Sequence, residues 1–244
     1  MKKILFLGSK NIGLECLKLL YKNEKKLDFK LVGVLTNSRG SNIINFCKSK
    51  SIKIFDGLDD LQKIERFDIG ISVQYHKILK IQHIERAKEI FVNLHMAPLP
   101  EYRGCNQFSF AIINKDKEFG TTIHRLEEGI DSGDIIFEKR FNIPEDIWVE
   151  DLYNKTFDKS VELFKDSLSD LLSQNYKLVS QNSMLDKRKT SLHYRKEINE
   201  IKKINLEWSK DKIERHIRAT YMKEFEPPYA MIKKKKFILT KMDN

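Results

Sequence analysis

The chain has 244 residues, 41% hydrophobic and 10% aromatic, enough for one sizeable core and a small appendage. Its 45 basic and 35 acidic residues leave a formal charge of +10, which favours anionic ligands; the lysines are spread along the chain without aromatic–basic interleaving, which argues against nucleic acid as the partner. No apolar run approaches the ~18–20 residues of a membrane span, and Ile4–Leu7 reaches Gly8 too soon for a signal peptide, so a cytoplasmic protein is expected.

Lys2–Ser9 reads as a buried strand, and Ile12, Cys16, Leu19 and Leu20 follow at helical spacing. Gly8 and Gly13 form G-x-x-x-x-G without the Lys-Ser/Thr of a Walker loop, and G-x-G-x-x-G is absent. The turn still offers helix-start amides to an anion, with Lys10 inside it. Strands are predicted at Phe29–Thr36, near Ile52–Phe55, at Asp68–Val73 and at Ile90–Leu94, with a short helix over Asn42–Ser49. Strands alternating with helices predict a Rossmann-like, doubly wound, mostly parallel α/β sheet. Beyond it come a helix over Asn106–Ile113, strands at Thr121–Leu126 and Ile135–Phe141, and a longer helix. That helix aligns Leu152, Phe157, Val161, Phe164, Leu168 and Leu171 on one face, read as core packing. From Ser180 the chain turns polar and basic, with no Gly or Pro until Pro227. The expected division is a catalytic unit at 1–180 and an extension with helix and β-hairpin at 181–244, the hairpin turning at Lys233–Lys236.

The segment Phe91–Gly104, FVNLHMAPLPEYRG, holds the densest chemistry. Residues two apart on a strand share a face, so Asn93 and His95 project together before a loop stiffened by Pro98 and Pro100. An imidazole, with an ordinary pKa of about 6.5, is a candidate general base. The Asn amide is a candidate oxyanion donor, a role worth roughly 3–4 kcal/mol elsewhere. The competing reading is a turn-forming Asn93 and a satisfied interior His95. In Glu127–Ile135, EEGIDSGDI, Gly129 and Gly133 bracket a tight turn carrying Asp131, which can orient His95 as the third member of a triad; a plain surface turn is the alternative. Cys16, Cys47 and Cys105 lack C-x-x-C spacing and the histidines lack H-x-x-x-H, so no metal is expected. No base adjoins Cys105 to mark it as a nucleophile.

Taken together, Asn93-x-His95, the Pro loop ending at Arg103-Gly104, the segment GTTIH at Gly120–His124 and Gly129–Ile135 resemble the signature of formyltransferases that use N10-formyltetrahydrofolate. The resemblance implies that Asn93, His95 and Asp131 are the catalytic triad and that Leu99–Pro100 is cis. It also implies a pterin pocket lined, largely through backbone groups, by Tyr75, His76, Lys77, Ile78 and Leu79 and by Glu127 and Gly129. Ile204–Trp208, Ile213–Ala219 and Phe225–Ala230 resemble the tail of formyltransferases acting on nucleotide-linked amino sugars. That likeness implies a dTDP-linked amino-dideoxy sugar as acceptor, of the 4-amino-4,6-dideoxyglucose type, serving O-antigen or surface polysaccharide synthesis. It further implies a homodimer joined through the hairpin. Methionyl-tRNA or a purine-precursor amine is the alternative acceptor. Tyr221, Phe225 and Tyr229 are candidates to stack on the base, Lys10 and Lys77 to meet the diphosphate, and Arg103 is a further candidate substrate-binding residue. Ordinary packing and solvated surface are the competing readings for these side chains.

Overall fold

Strand β1 (Lys2–Gly8) buries Ile4, Leu5, Phe6 and Leu7 in succession, as a strand covered on both faces must. Ile4 and Phe6 enter one core, shared with Ile12, Cys16 and Leu20 of helix α1 (Lys10–Asn23). Leu5 and Leu7 enter another on the opposite face. The computed structural model describes residues 1–241, so the last three residues of the predicted extension lie outside the described residues.

The chain continues through β2 (Phe29–Leu35), α2 (Ser41–Ser49), β3 (Ile54–Phe55), β4 (Phe67–Val73), the one-turn α3 (Ile81–Ile84) and β5 (Ala87–His95). After the short β6 (Arg103–Gly104) come α4 (Gln107–Ile113), β7 (Glu118–Arg125), β8 (Ile135–Asn142) and the 25-residue α5 (Val149–Ser173). Seven strands form one sheet in the order β3-β2-β1-β4-β5-β7-β8. The sheet is parallel through β5, and β7 and β8 add antiparallel. This is the expected mostly parallel, doubly wound sheet. Its order reverses between β1 and β4, where such sheets open a crevice at their carboxyl ends.

Two predicted boundaries shift in ways that matter. The fifth strand runs three residues earlier than Ile90 and one beyond Leu94, because pairing with β4 and β7 holds both ends. His95 is therefore part of the sheet. The third strand shrinks to Ile54–Phe55, the only residues opposite Val34 and Leu35.

The extension is fastened back onto the sheet domain. Strand β9 (Leu192–His193) pairs with β6. After α6 (Ile198–Ile201), β10 (Lys203–Ile204) and α7 (Lys210–Thr220), the hairpin of β11 (Tyr229–Ile232) and β12 (Lys235–Ile238) forms around Lys233 and Lys234. Of these strands, sequence patterning predicts only the hairpin pair. β10 adds to it as a third, parallel strand. Ala219 of α7 joins Ala97, Tyr102, Phe119 and Leu152 in a third core. Among the described residues, no helix is long and apolar enough to cross a membrane.

Candidate active site

β5 and β7 place Asn93 opposite His124 and His95 opposite Thr122. Directly opposed residues project on the same face, so Asn93 Nδ2 meets His124 Nε2 at 3.2 Å. The Nδ1 of His124 donates to the Arg125 carbonyl at 2.9 Å, which in the neutral ring leaves Nε2 as the acceptor for the Asn93 amide. The second hydrogen of that amide remains for a ligand. His95 is buried, and its Nε2 donates to the Tyr102 carbonyl at 2.7 Å. Thr121 Oγ1 donates to the His95 carbonyl at 3.0 Å and fixes the backbone beneath the ring.

Asp131 reaches these residues from the turn between β7 and β8. Its Oδ2 stands 3.6 Å from His95 Nδ1 and its Oδ1 3.4 Å from His124 Nε2. The Gly104 N–H donates to Oδ2 at 2.9 Å. The path to this position is tight: Asp131 is left-handed at φ 47°, a region that Asp tolerates better than most residues. A Cβ on Gly133 would lie 1.9 Å from the Arg125 carbonyl oxygen, so only glycine lets the turn close there. Gly104, at φ +87°, would press a Cβ to 2.2 Å from the His193 carbonyl oxygen. Burial alone would raise the Asp131 pKa. The His95 charge, the His124 hydrogen bond and the Gly104 amide outweigh it and hold the carboxyl well below the usual range.

The expected trio is thus brought together, with two departures from the simple triad. Since the Tyr102 carbonyl accepts from His95 Nε2, both imidazole nitrogens face protein groups, and Nε2 must leave that carbonyl before it serves a substrate. Second, His124 Nε2 sits between Asn93 and Asp131 and cannot accept from one while donating to the other. The network therefore has two wirings, selected by the proton on His124. GTTIH carried His124 in the sequence, but only the β5–β7 register reveals its contact with both partners.

His95 opens into a cleft of about 410 Å³. Lys10, Cys105, Arg195, Lys202 and Phe225 line it as well. Protein is packed around the Lys10 ammonium, although the residue is exposed overall; that burial, then the Arg195 and Arg39 charges, lowers its pKa. Burial also lowers that of Lys202, which is 8% exposed. Of the expected acceptor contacts, Lys10 and Phe225 are on the cleft wall. Arg103 is turned away, its Nε donating to the Ile130 carbonyl at 2.9 Å and bracing the Asp131 turn. Lys77 is exposed on the loop after β4. Tyr221 packs edge-on against Trp148, and Tyr229 lies under the Lys236 ammonium; neither lines the cleft. Arg195 and Lys202 had no sequence signal, since lysine and arginine are abundant throughout the extension.

The two loops expected to hold a pterin meet on one apolar cluster. Leu79 is buried in it, and Tyr75 and Leu126 pack against it. The Tyr75 hydroxyl is buried with no hydrogen-bond partner among the described residues. His76 and Lys77 are exposed, and Ile78 is 76% exposed. Glu127 accepts from Arg125 Nε at 2.8 Å, and Gly129 turns the backbone at φ +120°. Leu99–Pro100 is cis. No group of three His, Cys, Asp or Glu side chains among the described residues is arranged to hold a metal.

Comparison with known proteins matches residues 2–168 to the family described as Formyl transferase. A methionyl-tRNA formyltransferase of Prochlorococcus marinus subsp. pastoris is 30% identical over 90% of this chain and 72% of its own length. One from Finegoldia magna is 26% identical over 69% of this chain, a match spanning 58% of that enzyme. GDP-perosamine N-formyltransferase of Brucella melitensis is 27% identical over 72% of this chain and 65% of its own length. Among solved structures, the sugar 3N-formyl transferase WlaRD, crystallised with dTDP and 5-N-formyl-THF, superposes with a TM-score of 0.80. It is 29% identical, and the match covers 97% of this chain and 84% of that one. The N-formyltransferase of Helicobacter canadensis, in complex with folinic acid and dTDP-3-aminofucose, gives 0.77 at 26% identity, covering 97% and 86%. With the Asn93, His95 and Asp131 cluster at the carboxyl end of β5 and a family match over more than half its length, this chain belongs to the formyl transferase family.

Proposed function

We propose that the protein is an N-formyltransferase that moves a formyl group from N10-formyltetrahydrofolate to the amino group of a dTDP-linked amino-dideoxy sugar. The acceptor is of the dTDP-4-amino-4,6-dideoxyglucose type, and the product serves O-antigen or surface polysaccharide synthesis. The observation that carries this reading is the junction of an Asn–His–Asp cluster, built on the buried His95, with a cleft walled by Lys10, Arg195 and Lys202. The cluster suits acyl transfer and the cations suit a diphosphate. Residues 1–180 act as the catalytic unit and 181–244 as the extension that supplies acceptor contacts and joins two subunits.

The folate, when bound, supplies an electrophilic formyl carbon. Tyr75, Leu79, Glu127 and Gly129 suit its pterin, the buried Tyr75 hydroxyl being the group in want of a partner. The free Asn93 N–H stabilises negative charge growing on the formyl oxygen as the sugar amine, deprotonated, attacks. His95 adds positive charge and moves the amine proton towards the leaving nitrogen once its Nε2 leaves the Tyr102 carbonyl. Asp131 holds the imidazolium in place.

The 30% identity to a methionyl-tRNA enzyme over 90% of the chain favours a second acceptor class, methionyl-tRNA or, more remotely, a purine-precursor amine. A transfer assay separates them. Wild type, His95→Ala and Asp131→Ala are given N10-formyltetrahydrofolate with 3-amino and 4-amino dTDP-sugars, GDP-perosamine, methionyl-tRNA and glycinamide ribotide. Formylated dTDP-4-amino sugar from wild type, reduced by orders of magnitude in both variants, is the expected result. Product on another amine moves the acceptor and keeps the chemistry; no folate consumption with any amine overturns the reading.

A further inference from the structure

We propose that Gln181 is a positioning residue for Asp131, acting through the backbone of the turn that carries it. Gln181 lies beyond the residues matched to the family and outside every motif of the sequence. It follows Val179, whose backbone exchanges two 2.9 Å hydrogen bonds with that of Ile135 at the start of β8. Anchored so, the Gln181 side chain runs inward to 6% exposure. Its Nε2 donates to the Asp131 carbonyl at 2.8 Å and to the Gly133 carbonyl at 2.7 Å. Both amide hydrogens are thereby spent on one turn.

The turn needs that support. A left-handed non-glycine residue persists only where its surroundings hold it, and Asp131 is one. From this conformation its carboxylate meets His95, His124 and the Gly104 N–H. Without a donor at 181, the buried Gly133 carbonyl and the part-buried Asp131 carbonyl lose their partner, and the turn relaxes to rehydrate them. The carboxylate then leaves His95.

The kinetic arm of the test rests on the proposed formyl transfer, whereas the exchange arm does not. In Gln181→Met, which keeps the side-chain length and removes the donor, hydrogen exchange at the Gly104 amide should accelerate about tenfold or more. The Ile71 amide, deep in β4, should keep its rate. Unchanged exchange at Gly104, or equal acceleration at both sites, overturns the proposal. In turnover, kcat should fall about tenfold or more with each KM within about threefold. Introduced into Asp131→Asn, the same substitution should cost nothing further; a multiplicative loss means that Gln181 acts elsewhere. Gln181→Lys keeps a donor and should recover part of the loss, and a deficit equal to that of Gln181→Met overturns the proposal. A wild type that formylates no amine removes the proposed function and leaves the exchange result to decide.

Discussion

Asn93, His124, Asp131 and His95 are joined in a chain whose links all pass through a nitrogen or a carboxylate oxygen, so each residue limits what its neighbours do. His124 is the least replaceable for wiring. His124→Phe keeps a ring of similar size in a fully buried place and strips both nitrogens. The Arg125 carbonyl then loses a partner, and so does either the Asn93 amide or one Asp131 oxygen, whichever His124 Nε2 serves. An unsatisfied buried group costs about 1–3 kcal/mol, so urea unfolding should reveal a loss of at least that size. An unchanged midpoint would mean that water replaces the imidazole. Asp131 has a pH signature of its own. Its pKa is lowered in the folded state from about 3.9 in an unfolded chain, so as pH falls the unfolded state takes up the proton first. The contribution is complete above about pH 5 and is lost progressively below about pH 4. The stability difference between wild type and Asp131→Asn should therefore be flat near neutrality and shift against wild type in acid. A difference that stays constant down to pH 3 would show that the carboxyl titrates normally.

The elements divide by how local their causes are. Helix α5 was legible because its pattern repeats over 25 residues, and Leu152, Phe164, Leu168 and Leu171 are buried as the periodicity requires. The strand pair Asn93 and His95 and the turn at Asp131 were legible for the same reason, each being a few adjacent residues. By contrast, β9 and β10 are two residues long and exist only because distant backbone lies beside them; no local pattern marks such strands. The segment around 181–195 hid its role likewise. Arg188 donates to the Leu99 carbonyl and to Glu138, both at 3.0 Å, and Ser191 Oγ donates to the Glu101 carbonyl at 2.5 Å. It straps down the proline loop that presents the Tyr102 carbonyl to His95. Arg188→Met leaves the mostly buried Glu138 to Arg140 alone. Hydrogen bonds to charged groups are worth about 1.5–3 kcal/mol, and the urea midpoint should fall accordingly. Amides of residues 99–104 should exchange faster; if they do not, the strap is not what holds the loop.

At the scale of the whole molecule, the +10 charge and the hairpin pull in opposite directions. The excess of lysine suits the proposed anionic acceptor but repels a second copy of the chain. The hairpin nevertheless exposes apolar side chains on both of its faces. Ala230 opposes Phe237, so Phe237 and Ile232 share one face while Met231 and Ile238 take the other. These four are 42–49% exposed, an arrangement that a monomer has little reason to keep. If a second hairpin covers them, association is driven by apolar burial at roughly 25 cal/mol per Å² and opposed by like charge. Salt should then tighten the dimer, because screening removes the repulsion and leaves the burial. Sedimentation from 0.05 to 0.5 M salt should give twice the chain mass, with dissociation appearing first at low ionic strength. Phe237→Glu and Met231→Glu, one on each face, should yield folded monomers with an unchanged melting temperature at low concentration. A dimer that loosens with salt would place the contact on charged groups instead, and a monomer at every salt concentration would leave the hairpin to acceptor binding alone.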